Sequence, residues 1–451
     1  MGLRILDRVI NSMDISAPKF QVYSLNNFLK IPQVERYLSK EQIRNIQTVG
    51  NVLPFKVNNY VIDELIDWEN VPNDPIFKLT FPQVEMLSKP HYSKMESALM
   101  QELPRAELKK VANDIRLELN PHPAGQKSNI PELDGDKLTG IQHKYRETLL
   151  FFPSNSQTCH AYCTFCFRWP QFVGMDELKF AMKETDLLVK YLQRNPEVTD
   201  VLFTGGDPMI MKTNKFEQYI NPLLESEIPN LQTIRIGSKA LGYWPYRFIT
   251  DNDADDMLRL FERVTKSGKQ LAFMAHFNNV QELRTPAVER AMQRIIDTGA
   301  VIRTQSPIMN HINNSAEDWA QMWRKQVKLG AIPYYMFMAR DTGAQDYFAV
   351  SIEEAWNVFK SAYNQVSGIA RTVRGPSMSA APGKVQILGI NEINGEKVMV
   401  LRFLQGRNPD WVARPFFAKY NPEAIWLDDL EPFGDEEHFF FEKEYAEMPF
   451  V

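Results

Sequence analysis

The sequence predicts an α/β protein built on a partial (β/α)6 TIM-type barrel, with a helical arm before it and an extension after it. From Tyr145 onward six short apolar runs, ETLLFF, DVLFTG, TIRIGS, QLAFMAH, VIRTQS and PYYMFMA, are separated for the most part by amphipathic stretches at helical spacing. Strands alternating with helices pair in parallel through right-handed crossovers. Each run also ends in groups able to bind something: the cysteines, then Gly205-Gly206-Asp207-Pro208, Gly237-Ser238-Lys239, His276, Gln305 and Arg340-Asp341. Functional groups at successive strand ends on one rim are the arrangement of a barrel, whereas a doubly wound sheet gathers ligands at a switch point.

Taken in order, residues 1–140 read as an arm of helical segments broken by proline. Asp74-Pro75 and Phe81-Pro82 cannot continue a helix. KMESALMQELPRAELKKVANDIRLEL has helical spacing with a break or start near Pro104, and the polar, turn-rich NPHPAGQKSNIPELDGDK is the best linker before the core. The core is expected over 141–375 and the extension over 376–451. In the extension, Asn394-Gly395 between two apolar runs predicts a hairpin with a type I′ turn. The aromatic, proline-broken tail beyond it reads as an arm packed on the core or on a partner.

Composition narrows the function classes. Hydrophobic content of 44% and charged content of 24% are those of an ordinary globular protein. A formal net charge of −5 leaves no electrostatic footprint for nucleic acid. No apolar run is long enough for a membrane span, and the first residues lack a secretion-type apolar stretch, so a cytoplasmic location is expected. The opening Met-Gly does not continue into a myristoylation signal. Cysteine usage agrees with a reducing compartment, since an odd, unpaired set is unusual in secreted chains.

All three cysteines of the 451 residues, Cys159, Cys163 and Cys166, fall within CHAYCTFC. Thiolates select iron-sulfur clusters, and three of them on a four-iron cluster leave one iron open for a small molecule. A zinc site completed by His160 or a distant histidine is the competing reading, although no second pair of ligands is evident. Three inert thiols are the other alternative, but a cluster of cysteines absent elsewhere makes poor core filler.

The C-x3-C-x2-C spacing resembles that of the radical S-adenosylmethionine enzymes. The resemblance implies a 4Fe-4S cluster on Cys159, Cys163 and Cys166, with S-adenosylmethionine chelated at the open iron and cleaved by an electron to a 5′-deoxyadenosyl radical. Phe165 then lies where the family places a ring against adenine, and TGGDP at 204–208 is similar to its glycine-rich strand near the amino group. Gly205, Gly206, Asp207, Ser238, His276 and Gln305 are the residues expected around S-adenosylmethionine.

Within that superfamily, IRIGS with Lys239, HFNNVQEL, TQSPIMNHINNS and PYYMF, in this order, resemble the lysine 2,3-aminomutase family from about residue 50 to residue 390. The resemblance implies an isomerase that moves an amino group with the help of pyridoxal 5′-phosphate, held between turnovers by Lys384 of SAAPGK. Burial can lower the pKa of such a lysine. Tyr145 and Arg146 are expected near the ring and phosphate of that cofactor. Arg168 matches the arginine that pairs with the substrate carboxylate. Where lysine-specific enzymes carry two aspartates for the distant ammonium, this chain has Arg340 and Ala380, with Asp341 one residue away. A buried guanidinium needs an anion, which favours an acidic amino acid as substrate.

The expected partners are a small amino acid, a reductase or a flavodoxin- or ferredoxin-type electron donor, and a second copy of the chain, with neither nucleic acid nor membrane. A radical enzyme without pyridoxal phosphate, modifying an amino acid or peptide, is the alternative. A non-catalytic zinc protein is a distant one.

Overall fold

The computed structural model describes residues 18–120, 129–174 and 180–448. Its centre is one sheet of eleven strands: β1 (Ile141–Tyr145), β2 (Thr148–Phe151), β3 (Asp200–Phe203), β4 (Thr233–Ser238), β5 (Gln270–His276), β6 (Val301–Ile308), β7 (Ile332–Met338), β8 (Arg374–Ser379), β9 (Gly383–Ile393), β10 (Glu396–Gly406) and β11 (Pro415–Lys419). The strands lie side by side in chain order, so no switch point exists. Pairing from β2 to β8 is parallel, while β1 and the last three strands run antiparallel to their neighbours. The first and last strands do not pair with each other, so the barrel is open.

Six crossovers join the parallel strands, and each carries a helix: α1 (Thr185–Arg194), α2 (Thr213–Glu225), α3 (Ala254–Lys266), α4 (Pro286–Asp297), α5 (Ala316–Lys328) and α6 (Ile352–Asn364). Right-handed crossovers that always step the same way leave all helices on one face. Side-chain alternation records the result. In β4, Ile234, Ile236 and Ser238 are buried while Thr233, Arg235 and Gly237 are only partly covered, and β3 and β6 repeat the pattern. One face therefore packs under the helices, through residues such as Met257, Leu260, Phe261 and Val264 of α3. The other is a trough lined by Asp200, Leu202, Arg235, Arg303 and Gln305.

All six predicted strands are present. The seventh parallel strand, RGPSMS, was not anticipated, and the expected boundary at 375 falls inside it. In the hairpin of β9 and β10, Asn394 and Gly395 have φ of 54° and 86°, the left-handed pair a type I′ turn requires. β11 then extends the same sheet, and Phe403 of β10 and Phe416 of β11 pack with Trp411, Phe439 and Phe441.

The N-terminal region obeys its prolines. Asp74 caps Pro75–Thr80 by accepting from Phe77 N at 2.7 Å, with Pro75 at the first helical position, and the helix ends before Phe81. Lys89–Met100 and Arg105–Glu118 are separate helices divided at Pro104. A two-stranded ladder of Val22–Ser24 and Lys56–Asn58 brings the arm against the cysteine loop. Of the expected linker, residues 121–128 lie outside the described residues, and the remainder forms a small ladder of Glu132–Leu133 and Asp136–Lys137. No helix among the described residues is long and apolar enough to cross a membrane.

Candidate functional site

Because β2 to β8 are parallel, their C-terminal ends share one rim, and the cysteine loop leaves that rim directly after β2. Main-chain bonds shape the loop: Cys166 N donates to Cys163 O at 3.1 Å and Trp169 N to Cys166 O at 3.0 Å. Tyr162 N donates to Lys56 O and Thr164 N to Leu79 O, so the N-terminal arm fixes its outer side. Burial pushes the Cys163 thiol up to about 12 and the Cys166 thiol up to about 11, and raises Cys159 as well. The three thiols are near enough to influence one another's charge. Among the described residues no three metal-binding side chains converge on a single ion. A cubane takes each thiolate on a different iron, and three adjacent sulfurs with Lys56 and Lys239 beside them suit such an anionic group.

The glycine-rich loop after β3 packs closely on the segment that leads to the cysteines. A Cβ at Gly206 would come within 2.4 Å of Thr158 O and 2.5 Å of Ser156 O, so it is the segment leading to the cysteines, packed flat on the loop, that requires glycine. Asp207 is almost fully buried, and its carboxylate accepts from Met209 N at 2.9 Å, Ser238 Oγ at 2.8 Å and Lys239 N at 2.9 Å. Its own N–H donates to Ser156 O and Thr158 O. Through these bonds Asp207 and Ser238 tie the ends of β2, β3 and β4 together. Burial lifts Asp207 to about 6.

Phe165 and His276 lie with ring centroids 5.6 Å apart, and His276 is level with Gln305 across β5 and β6. His276 Nε2 contacts Asn278 Nδ2 at 3.1 Å, and burial holds its pKa well below the usual range. These three predicted residues share one part of the rim. Lys239 Nζ also reaches this part of the rim, 3.4 Å from His276 O, and is held there by Asn278 Oδ1 and the fully buried Glu282.

Arg168 is buried with its guanidinium 4.1 Å from the Phe152 ring, and its Nε and Nη2 have no hydrogen-bond partner among the described residues. Two orphaned donors in one fork fit a carboxylate. Arg340 lies 5.4 Å over the next ring, Phe167. Its segment is pinned there by Trp169 Nε1 donating to Thr342 Oγ1 at 3.1 Å. Asp341 offsets part of the Arg340 charge, while burial lowers the Arg340 pKa.

Lys384 opens β9 opposite Ser379 of β8 and points into the trough. Its Nζ is 3.1 Å from Gln405 Oε1 and lies 4.2, 5.5 and 5.8 Å from the rings of Tyr335, Phe337 and Tyr145. Burial, helped by Arg235 and Arg374 and opposed by Tyr334 and Asp200, pushes Lys384 down to about 7. The Arg235–Asp200 ion pair at 2.5 Å lies on the trough floor. Tyr145 is thus beside Lys384. Arg146 is not: it is exposed in the turn between β1 and β2, at the end of β2 remote from the cysteine loop. Lys144, two residues earlier, reaches inward instead and donates to Ala380 O. Burial and the charges of Arg340, Arg407 and Lys384 hold its pKa well below 10.5. Sequence reasoning missed Lys144, Arg235 and Arg407, for which the only signal was a basic residue on a strand or beside one.

No protein-family model matches the chain. A protein of Aquifex aeolicus (strain VF5), provisionally named an L-lysine 2,3-aminomutase, is 31% identical over 394 residues, covering 87% of this chain and 91% of that one. The L-lysine 2,3-aminomutase of Acetoanaerobium sticklandii is 26% identical over 346 residues, covering 76% and 72%. Among solved structures, a radical SAM methyltransferase from Sphaerobacter thermophilus matches 61% of this chain and 83% of its own at 13% identity with a TM-score of 0.35.

Proposed function

The chain belongs to the lysine 2,3-aminomutase family of radical S-adenosylmethionine enzymes, and from that premise we propose that it is a pyridoxal phosphate-dependent amino-acid 2,3-aminomutase whose substrate carries a second carboxylate. The observation that carries this reading is Lys384. It is an amine held near neutrality inside the trough, on the same concave face as the rim that bears the cysteines and Arg168. A neutral amine is what covalent capture of an aldehyde needs. Arg235, beside Lys384, supplies charge for a phosphate.

The bound groups would supply the radical and the stabilisation of the migrating nitrogen. The protein's residues bind and orient. Cys159, Cys163 and Cys166 would hold the cluster. Phe165, His276 and Gln305 would flank S-adenosylmethionine, while Asp207 and Ser238 keep the rim in shape. Arg168 would take the α-carboxylate with its two unpaired donors.

The acidic-substrate reading rests on Arg340 together with Arg407; the charges of both act on Lys144, whose Nζ donates to the carbonyl of Ala380. Such a cluster repels the second ammonium of lysine and suits a carboxylate. The test offers glutamate, aspartate and lysine to anaerobically reconstituted protein and follows 5′-deoxyadenosine and the β-amino acid. A dicarboxylic substrate should be turned over, and Arg340→Asp should weaken it most. Preferential turnover of lysine would overturn the substrate assignment.

A further inference from the structure

Lys56 belongs to the short ladder of the N-terminal arm, more than a hundred residues from the cysteines in sequence. Its side chain nevertheless enters the cysteine loop. Nζ donates to Cys159 O at 2.6 Å and to Thr158 Oγ1 at 2.9 Å, and lies 5.2 Å from the Tyr162 ring. Tyr162 OH closes the circuit on Thr158 Oγ1 at 3.1 Å, and its ring stacks on Phe172 at 4.5 Å. The Lys56 carbonyl also accepts from Tyr162 N at 2.8 Å.

From this geometry we infer that Lys56 is a positioning residue that sets both the shape of the Cys159–Tyr162 turn and the reduction potential of the cluster the loop would hold. The inference rests on the iron-sulfur reading of the three cysteines. The physical argument is charge. One-electron reduction by a low-potential donor adds one negative charge to the cluster, and a cation in a poorly solvated setting favours that state over the oxidised one. A groups-once-removed effect of this kind is expected wherever charge and hydrogen bonding surround a metal ligand. Neither oxidation state of the cluster needs the ammonium to change its own protonation for the effect to operate.

The test is a potentiometric titration of the reconstituted full chain, with the reduced cluster read by electron paramagnetic resonance and iron and sulfide counted. Lys56→Met should make reduction about tenfold less favourable, a fall of about 59 mV for one electron, at unchanged iron content. Lys56→Arg should restore the wild-type potential. An unchanged potential in Lys56→Met would overturn the inference. Should Lys56→Met lose iron, Lys56→Gln, which keeps a donor toward the Cys159 carbonyl, carries the same measurement. Iron lost from both neutral variants but kept by Lys56→Arg would show that the ammonium only holds the loop together, and the tuning role would be refuted. Wild-type protein that takes up no reducible cluster would instead refute the iron-sulfur reading itself.

Discussion

Replacing Arg235 with Gln should change the pH at which Lys384 reacts. After burial, Arg235 is the strongest influence on the Lys384 amine, and it pairs with Asp200 at 2.5 Å on the trough floor. The substitution withdraws a cation that destabilises the ammonium form. It also frees the Asp200 carboxylate, which stabilises that form. Both changes raise the pKa from about 7, while burial, the first cause, remains. A rise of about one unit follows from the usual size of such charge effects. In the wild type about half of the amine is neutral at pH 7, against about one in three thousand for an ordinary lysine. In Arg235→Gln that fraction should fall severalfold. The assay is the initial rate at which Lys384 captures pyridoxal phosphate from pH 5.5 to 9.5, quenched with borohydride and quantified on the Lys384 peptide. A midpoint near 7 that moves upward in the variant is the expected result. A wild-type midpoint near 10, or one that the variant leaves in place, would refute the electrostatic account of this lysine.

Other substitutions test other parts of the site. Replacing any one of Cys159, Cys163 or Cys166 with Ala should abolish 5′-deoxyadenosine formation and lower bound iron, with the circular dichroism of the fold retained. Gly206→Ala should cost about 1–3 kcal/mol by thermal melting, because its methyl group meets the backbone of Ser156 and Thr158 rather than a yielding side chain. Lys384→Met should gain stability over the wild type as pH falls from 10.5 toward 7. In that window the unfolded lysine takes up a proton that the folded one refuses, a difference that urea midpoints at the two pH values would reveal.

Legibility in the sequence followed the range of the interactions. The six strands and their crossovers could be read because each apolar run is local and each helix shows its own period. β8 could not, since RGPSMS is buried by its neighbours rather than by any hydrophobic pattern of its own. The Asn394-Gly395 turn and the helix breaks at Asp74-Pro75 and Phe81-Pro82 are short-range chemistry and were visible. Asp207 shows the opposite case: its position at a strand end was evident, but its donors come from Met209, Ser238 and Lys239, which only the closed rim brings together. Near Tyr145 the reading took Arg146 as the charged group, two residues from Lys144: the register shift between Gln142 and Tyr145 breaks the alternation of the strand and lets Lys144 reach inward, while Arg146 lies past the strand end in solvent. Lys384 could be reached only through the ordered resemblance, because a lysine after Pro-Gly carries no local sign of burial.

The most direct measurement is an anaerobic ultraviolet-visible spectrum of protein purified with pyridoxal phosphate, followed by borohydride reduction and peptide mapping. A broad iron-sulfur band together with a reduced pyridoxyl adduct on Lys384 is the expected result. A cluster band with no adduct at Lys384 would contradict the aminomutase reading and leave a radical enzyme that acts without that cofactor.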